Sequence, residues 1–347
     1  AFIGGEWRTI LVGGLNAGGR SIYALDVTDP LSFSEDNVLW EFDATDDNDL
    51  GLTFSRPQIG ILDSGQWVAV FGNGYNSPNG GAHLFIIDLE TGARLGKITA
   101  SDVAGDETNG LSTPVLIDRD SNGMIDTAYA GDLHGNLWKF DLSGSSSATW
   151  GVANNVALFR ATYGGNPQPI TAQPKVAGHP SSGRLILFGT GRYLTNSDVF
   201  DMNRQSYYGI WDNDTFTTRA SRADLQAQRF DLQEEASGRM VRSVSSETVN
   251  WGTRRGWYID LLDGTAGGEI GERVVNTSLV IRDMVLFSSI IPSTDPCDPG
   301  GTSWLVALKV DTGGLAQRRF IGGHVEDVVD DLEGEADVEA IGRERFA

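Results

Sequence analysis

The sequence predicts an all-β protein in which one antiparallel unit is repeated along the chain. Three observations support this prediction: similar segments recur about every 60 residues, helical periodicity is nearly absent, and glycine is abundant, with 44 of 347 residues. Abundant glycine fits tight turns that need a positive φ. The hydrophobic content of 40% is that of a globular chain with a large core.

Each repeat begins with a proline and a short apolar strand. Pro57, Pro114 and Pro174 stand 57 and 60 residues apart, in RPQIG, TPVLID and QPKVAG. An apolar run that ends in small residues follows each of them, as in WVAVFGNG, DTAYAGDLHG and RLILFGTG. An aromatic strand that ends in aspartate comes next, as in LFIIDLETG and LWKFDLSG, and leads into a turn.

These units predict a β-propeller of four-stranded antiparallel sheets, because short strands separated by turn signals at this period are typical of propeller blades. Five or six units can be counted. The first, over residues 1–27, lacks the proline-led strand and is predicted to be a partial blade. Either C-terminal strands or an N-terminal part outside this sequence would complete it. A pair of β-sandwiches is the alternative fold.

The sequence predicts a single propeller domain over residues 1–347. RADLQAQRF, at 222–230, is interpreted as a short helix or an insertion. Residues 316–347 form an acidic C-terminal segment, interpreted as a last strand with a solvated face or a short helix. The start, AFIGGEWRTI, has no targeting features and indicates a fragment of a longer chain.

Charge and hydropathy argue against two classes of partner. The net charge of −21 disfavours nucleic acid and anionic membrane surfaces, because both attract basic patches. No run of about 18 apolar residues exists, so no transmembrane helix or direct membrane insertion is predicted.

The single cysteine, Cys297, and the four histidines show no zinc spacing and no CxxC motif. A disulfide within this sequence is therefore excluded. Two interpretations of Cys297 remain open: a loop thiol, or a disulfide to a cysteine outside this fragment.

One segment, DRDSNGMID at 118–126, has the ligand order of an EF-hand calcium loop. Oxygen-bearing side chains stand at loop positions 1, 3, 5 and 9, a backbone carbonyl is expected at position 7, and glycine stands at position 6 for the sharp turn. The predicted calcium ligands are Asp118, Asp120, Asn122, the backbone carbonyl of Met124, and Asp126.

The loop departs from an EF-hand in two ways. Position 12 is Tyr129 in place of a bidentate glutamate, and strands are predicted on both sides in place of helices. We expect Asp126 to replace the missing glutamate, and an affinity of about 10⁻⁶ to 10⁻³ M. The alternative is a hairpin turn rich in Asp and Asn that binds nothing. A second acidic run, DATDDNDLG at 43–51, is irregularly spaced and is interpreted as a solvated loop.

Signatures of catalysis are missing from the sequence. It contains no G-x-S-x-G, H-E-x-x-H or G-x-x-x-x-G-K-[ST] motif. A glycosidase would need paired carboxylates, but with 47 acidic residues such pairs arise by chance. We therefore predict no catalytic residues and no cofactor other than Ca²⁺.

The sequence resembles the C-terminal domain of the PilY-type type IV pilus biogenesis proteins. The resemblance rests on LVGGLNAGGRSIYALDVTDP, SRPQIGILDSGQWVAVFGNGYNS, LIDRDSNGMIDTAYAGDLHGNLWKFDL and IIPSTDPCDPGGTSWLVALKVDTGG. It covers roughly residues 1–315 and is weakest at 215–255. It implies a modified, quinoprotein-like β-propeller of about seven blades without a catalytic role, and a calcium site at the five positions named above.

The resemblance also implies a function. In the family, calcium occupancy is linked to the balance between pilus extension and pilus retraction, and so to twitching motility and surface adhesion. The implied partners are pilus components (minor pilins) or the pilus assembly machinery, and a host-surface receptor. The implied location is the surface of a Gram-negative bacterium, at the pilus tip or the outer membrane. The chain has no Arg-Gly-Asp motif, so integrin binding is not expected.

Two other functions remain alternatives. Quinoprotein dehydrogenases share the propeller and stack their quinone on a tryptophan, but one cysteine excludes the vicinal cysteine pair that many of them use. We interpret the nine tryptophans as packing between blades. The other alternative is a sugar- or protein-binding propeller in which calcium serves only the structure.

Overall fold

The structure is a computed structural model that describes residues 1–101, 108–236, 239–264, 267–295, 297, 300–316 and 343–346. Strands dominate it, which confirms the all-β prediction. The helices in these ranges are single 3-10 turns of three to five residues, and none is long or apolar enough to cross a lipid bilayer. They span Pro30–Ser32, Glu35–Asn37, Ser147–Thr149, Ala153–Asn155, Asn196–Phe200 and Arg222–Asp224.

The chain forms two compact units. The N-terminal unit consists of Ala1–Arg160 and Thr217–Arg219, and the C-terminal unit of Ala161–Phe216 and Ala220–Ala347.

The N-terminal unit contains a short hairpin and three antiparallel sheets. The hairpin is β1 (Phe2–Ile3) and β2 (Glu6–Trp7). The first sheet is β3 (Ile10–Gly14), β4 (Ser21–Asp26) and β5 (Val38–Asp43). The second sheet is β6 (Gln58–Ile61), β7 (Trp67–Gly72), β8 (Ala82–Asp88) and β9 (Arg94–Ala100). The third sheet is β10 (Val115–Ile117), β11 (Thr127–Gly131), β12 (Asn136–Asp141), β13 (Gly151–Val152) and β14 (Phe159–Arg160).

The C-terminal unit contains two hairpins and two larger sheets. One hairpin is β15 (Thr162–Tyr163) and β16 (Asn166–Pro167). The fourth sheet is built from β17 (Lys175–Gly178), β18 (Arg184–Gly189), β19 (Gln205–Asp212), β20 (Gln226–Gln228) and a later strand, β23 (Gly256–Leu261). In the sequence, β21 (Phe230–Ala236) and β22 (Arg239–Val244) stand between β20 and β23, and they form the second hairpin. The fifth sheet is β24 (Leu279–Ile281), β25 (Met284–Pro292), β26 (Gly301–Lys309) and β27 (Arg343–Phe346).

The five sheets agree with the repeat, and their strand numbers vary from three to five within the described ranges. The first sheet has three strands and no proline-led strand, whereas β27 pairs with β26 and so belongs to the fifth sheet. Residues 222–230 contain one 3-10 turn and then β20, which pairs in parallel with β23, so they do not form a regular helix.

Two predictions about the chain as a whole stay predictions. They are the single domain over 1–347 and the count of about seven blades. The acidic segment 316–347 lies almost wholly outside the described residues, apart from residue 316 and β27.

The aspartate that ends the aromatic strand closes the following turn in several repeats. Asp26 Oδ1 accepts the Thr28 amide N–H at 3.0 Å, and Asp141 Oδ1 accepts that of Ser143 at the same distance. Asp88 accepts the Thr91 amide at 2.7 Å. A short carboxylate can replace a backbone acceptor in this way, which explains why the same residue type recurs where the strands end.

A buried polar residue follows the glycine that ends the apolar strand in three repeats. Asn73, Asp132 and Thr190 occupy this position and are fully buried. Asn73 Oδ1 accepts the amide N–H of His83 at 3.0 Å, at the start of the next strand. The corresponding contacts run from Asn136 to Asp132 at 2.8 Å and from Ser206 to Thr190 at 2.9 Å. The recurring motif therefore fixes where the next strand begins.

The cores explain the aromatic content. In the N-terminal unit, Phe42, Phe71 and Phe85 are buried between the first and second sheets, with ring centroids 5.5 to 6.3 Å apart. In the C-terminal unit, Tyr207 stacks on Phe287 at 4.0 Å. Of the nine tryptophans that were interpreted as packing between blades, Trp40, Trp138, Trp257 and Trp304 are buried. The interpretation was wrong for Trp7, which is 72% exposed.

A buried ion pair connects the second hairpin of the C-terminal unit with the fifth sheet. Arg242 of β22 contacts Glu272 at 2.8 Å, and both side chains are at most 1% exposed. The Arg242 guanidinium lies 3.9 Å from the ring centroid of Trp304. Ser289 of β25 donates to the other Glu272 oxygen at 2.5 Å.

Candidate metal centre

The segment with calcium-loop spacing connects β10 and β11 in the third sheet. These strands are antiparallel, with Ile117 opposite Thr127 and Val115 opposite Tyr129. The Asp126 amide donates to the Ile117 carbonyl at 3.1 Å and closes the base of the loop. Strands therefore flank the loop on both sides, as predicted.

Three of the five predicted ligands form a cluster of carboxylates. One oxygen from each of Asp118, Asp120 and Asp126 lies within 4.8 Å of the others. Asp118 is partly buried, Asp120 is exposed and Asp126 is buried. Oxygen ligands of this hardness and combined negative charge suit Ca²⁺, which takes six to eight oxygens. The donor set therefore fits calcium.

Backbone amides hold Asp118 in the cluster. Its Oδ2 accepts the Gly123 N–H at 2.7 Å and its Oδ1 accepts the Asn122 N–H at 3.2 Å. Although desolvation opposes it, donation from Gly123, Ser121 and Asn122 lowers the pKa of Asp118 below its ordinary value. The carboxylate is therefore ionised at neutral pH. Ser121 and Gly123 both have a positive φ, of 62° and 88°.

The other two predicted ligands, Asn122 and Met124, lie between Asp120 and Asp126 in the loop. The Asn122 side-chain oxygen accepts the Met124 N–H at 2.7 Å, and its side-chain nitrogen donates to Asp120 Oδ2 at 3.1 Å. Asn122 is thus joined to the cluster through Asp120. Met124 is partly buried and follows the glycine at position 6.

Asp126 is held by a residue that the sequence analysis did not identify. Its Oδ2 accepts the backbone N–H of Arg119 at 2.9 Å, and its Oδ1 accepts the Arg119 Nε–H at 3.1 Å. The Thr127 hydroxyl also donates to Oδ1, at 2.8 Å. The signal that could have found Arg119 is a basic residue at position 2 of an otherwise acidic loop.

Tyr129 shows why position 12 provides no ligand. It lies inside β11, fully buried, where an EF-hand has its second helix. The strand pairing opposite Val115 fixes its backbone in the sheet. The hairpin therefore removes the position from which an EF-hand glutamate reaches the ion.

The end of the loop is docked on the second sheet. The Ile125 amide donates to the Ile61 carbonyl of β6 at 2.7 Å, and Ile125 forms a parallel bridge with Leu62. The Ile125 side chain is 8% exposed. A Cβ atom added at Gly60 would lie only 2.9 Å from that side chain, so the glycine permits the close approach.

The second acidic run was predicted to be a solvated loop, and this was wrong for two of its aspartates. Asp47 is buried and forms ion pairs with Arg94 and with Lys97, the latter at 2.9 Å. Asp49 contacts Lys97 at 2.6 Å. These two aspartates therefore belong to an ion-pair network with basic side chains of β9. Cys297 is exposed, so both interpretations of this thiol remain open.

Comparison with known proteins places the chain in a family. A family model described as the PilY1 beta-propeller domain matches residues 1–241. A type IV pilus biogenesis factor PilY1 homolog of Xylella fastidiosa is 42% identical over 332 residues, which cover 91% of this chain and 22% of that protein. PilY1 of Pseudomonas aeruginosa (PAO1) is 40% identical over 352 residues, covering 90% of this chain and 30% of that protein.

A solved structure agrees with these matches. The crystal structure of the Pseudomonas aeruginosa PilY1 C-terminal domain has a TM-score of 0.86 to this chain at 34% sequence identity. The match covers 100% of this chain and 77% of that one. These matches confirm the predicted propeller and the predicted family resemblance. The chain spans less than a third of the length of the curated relatives that it matches.

Proposed function

The chain belongs to the PilY1 β-propeller family, and from this premise we propose that it is a calcium-binding, non-catalytic propeller domain of a pilus-associated protein. In this proposal the calcium state regulates type IV pilus extension against retraction, and with it twitching motility and surface adhesion. The partners are pilus components, such as minor pilins, or the assembly machinery, and the domain acts at the cell surface. The relatives' names, which refer to type IV pilus biogenesis, support the pilus part.

The convergence of Asp118, Asp120 and Asp126 on one point of a hairpin carries the calcium part. Three carboxylates within 4.8 Å repel one another, and a divalent cation offsets that repulsion. The Asn122 oxygen and the Met124 carbonyl are the further oxygens that would complete the ligand set. Bound calcium would supply positive charge and fix the loop, with no chemical step.

The contacts of Ile125 support a route by which the loop acts on the rest of the unit. Ile125 follows the loop directly and is hydrogen-bonded to Ile61 of the second sheet at 2.7 Å. A change in the order of residues 118–126 would therefore reach the turn between β6 and β7. We propose that this turn and the loop together form the surface whose contact with the pilus machinery depends on calcium.

Isothermal titration with CaCl₂ tests the binding step. The unaltered chain should bind with a Kd of about 10⁻⁶ to 10⁻³ M, whereas Asp118→Ala and Asp120→Ala should lose the heat of binding. Asp29→Ala is the matched control, because it removes an exposed aspartate that caps a short 3-10 turn elsewhere. Equal heats in all four proteins would rule out the site.

Motility tests the regulatory step. In the full-length protein, Asp118→Ala should change surface piliation and twitching while the domain stays folded by circular dichroism. Asp126→Lys should have the opposite effect, because the ammonium group supplies a permanent positive charge at the site. Full piliation and motility of Asp118→Ala would refute regulation, even if the chain binds calcium.

A further inference from the structure

We propose that Arg119 is an internal counter-cation that weakens calcium binding at this loop. This inference rests on the proposed function of residues 118–126. The guanidinium of Arg119 and a bound divalent ion would share one ligand, Asp126, so the arginine lowers the gain in free energy that the ion obtains. The arginine thus sets the calcium concentration at which the loop fills.

The hydrogen bonds of Asp126 show which lone pairs of its carboxylate Arg119 already occupies. Each carboxylate oxygen has two lone pairs. Oδ1 already accepts the Arg119 Nε–H at 3.1 Å and the Thr127 hydroxyl at 2.8 Å, so both of its lone pairs are used. Within the part of the chain that the structure describes, Oδ2 accepts only the Arg119 backbone N–H, at 2.9 Å. While the guanidinium stays in place, Asp126 can therefore offer an ion one oxygen but not both.

The positive charge of Arg119 also weakens calcium binding. Its side chain is 35% exposed and that of Asp126 10%, so the pair lies at the surface but is not fully screened. By Coulomb's law, a single positive charge that stands about 6 Å from a divalent ion in a nearly aqueous dielectric weakens the binding of that ion roughly 3- to 10-fold.

Arg119 is not needed to orient Asp126. The backbone N–H of residue 119 and the Thr127 hydroxyl both remain when the side chain is shortened. The Asp126 amide also stays bonded to Ile117 at 3.1 Å. Removing the guanidinium should therefore free a lone pair and remove a charge without releasing the ligand.

Calcium titration of four variants of the chain tests the proposal. Arg119→Gln should tighten the Kd roughly 3- to 10-fold, and the gain should shrink at high ionic strength. Arg119→Lys, which keeps the charge, should bind nearly as the unaltered chain does. Arg8→Gln is the matched control: Arg8 forms an ion pair with Asp26 at 3.3 Å with 33% side-chain exposure, in the first part of the chain. Asp118→Ala reports on the site itself.

The possible results separate the two hypotheses. Tightening in Arg119→Gln alone supports the counter-cation. Unchanged or weaker binding in Arg119→Gln overturns it, and so does equal tightening in Arg8→Gln, which would show an effect of net charge. If Asp118→Ala titrates like the unaltered chain, the calcium site is wrong and the role of Arg119 falls with it. If Asp118→Ala loses binding while Arg119→Gln changes nothing, only the role of Arg119 is wrong.

Discussion

At the scale of single residues, Gly123 carries the sharp bend of the acidic loop. Its φ is +88°, and an added Cβ would meet no atom within 4 Å, so a substitution costs backbone strain and no steric overlap. Gly123→Ala should lower the free energy of unfolding by about 1 kcal/mol. It should also weaken calcium binding, because the Gly123 N–H positions Asp118. Denaturant unfolding and calcium titration measure the two effects.

Gly151→Ala provides the control for this substitution. A Cβ at Gly151 also meets nothing within 4 Å, but its φ is not positive. It should unfold at nearly the same denaturant concentration as the unaltered chain. A loss of stability in Gly151→Ala as large as in Gly123→Ala would refute the explanation by φ.

We expect His83 to make the stability of the N-terminal unit depend on pH. Desolvation lowers the pKa of this buried imidazole, although Asp49 and Asp47 oppose the shift and Lys97 adds to it. A base whose pKa is depressed by folding contributes stability above its unfolded pKa of about 6.5, and loses it as pH falls through the folded value. Acidification below about pH 6.5 should therefore destabilise the chain, by at most about 1.4 kcal/mol per pH unit from this group.

The measurement is the melting temperature against pH, for the unaltered chain and for His83→Gln. The difference between the two curves isolates the imidazole from the carboxylates that titrate at lower pH. Parallel curves between pH 7 and pH 5 would show that His83 makes no such contribution.

Contacts between side chains were predictable when the two residues are close together in the sequence. The three clustered aspartates of the acidic loop lie within nine residues, so their spacing alone indicated a cluster. The ion pairs of Asp47 could not be found in this way, because Lys97 lies 50 positions further on, in β9 of the second sheet, and only the tertiary fold brings it near Asp47. Arg119 is close to Asp126 in sequence, but the direction in which its side chain points depends on the fold of the loop.

At the scale of elements, the loop and the second sheet should be coupled through Ile125. Ile125→Ala should destabilise the chain by about 2 to 5 kcal/mol, since it removes a buried side chain that packs where β6 has Gly60. Gly60→Ala should also destabilise, because its Cβ would lie 2.9 Å from Ile125. Combining both changes should cost less than the sum of the two, as the new methyl fills part of the space that isoleucine leaves.

Denaturant unfolding of the four proteins in this cycle measures the coupling. Additive losses would mean that the two residues do not touch in solution. The same cycle in excess calcium tests the proposed route from the loop to β6, since the coupling should then increase. An unchanged coupling would argue against that route.

Elements were predictable where the repeat is regular. The proline-led, apolar and aromatic strands of the second and third sheets were found because their turn residues recur. β20 was missed because its alternation spans only three residues and its partner β23 begins about thirty residues later, after the insertion of β21 and β22. The pairing is parallel, so no hairpin signal marks it.

At the scale of the whole molecule, the net charge of −21 adds a general self-repulsion to the repulsion among the carboxylates of residues 118–126. Any salt reduces the repulsion that comes from the net charge, because mobile ions screen exposed charges over about 10 Å at 0.1 M. A specific ion bound at one site should add to this screening only in proteins that keep the site. The two contributions can therefore be separated by matching ionic strength.

Calcium should raise the melting temperature of the chain by mass action. At a free concentration of 100 times the Kd, one site adds about 2.7 kcal/mol, provided that the unfolded chain does not bind. The rise should disappear in Asp118→Ala and in excess EDTA, while NaCl at equal ionic strength should give the same smaller shift in both proteins. Differential scanning calorimetry measures it, and the transition that responds should be that of the N-terminal unit, which contains the loop. Equal calcium shifts in the unaltered chain and Asp118→Ala would mean that calcium acts on the general negative charge and not on residues 118–126.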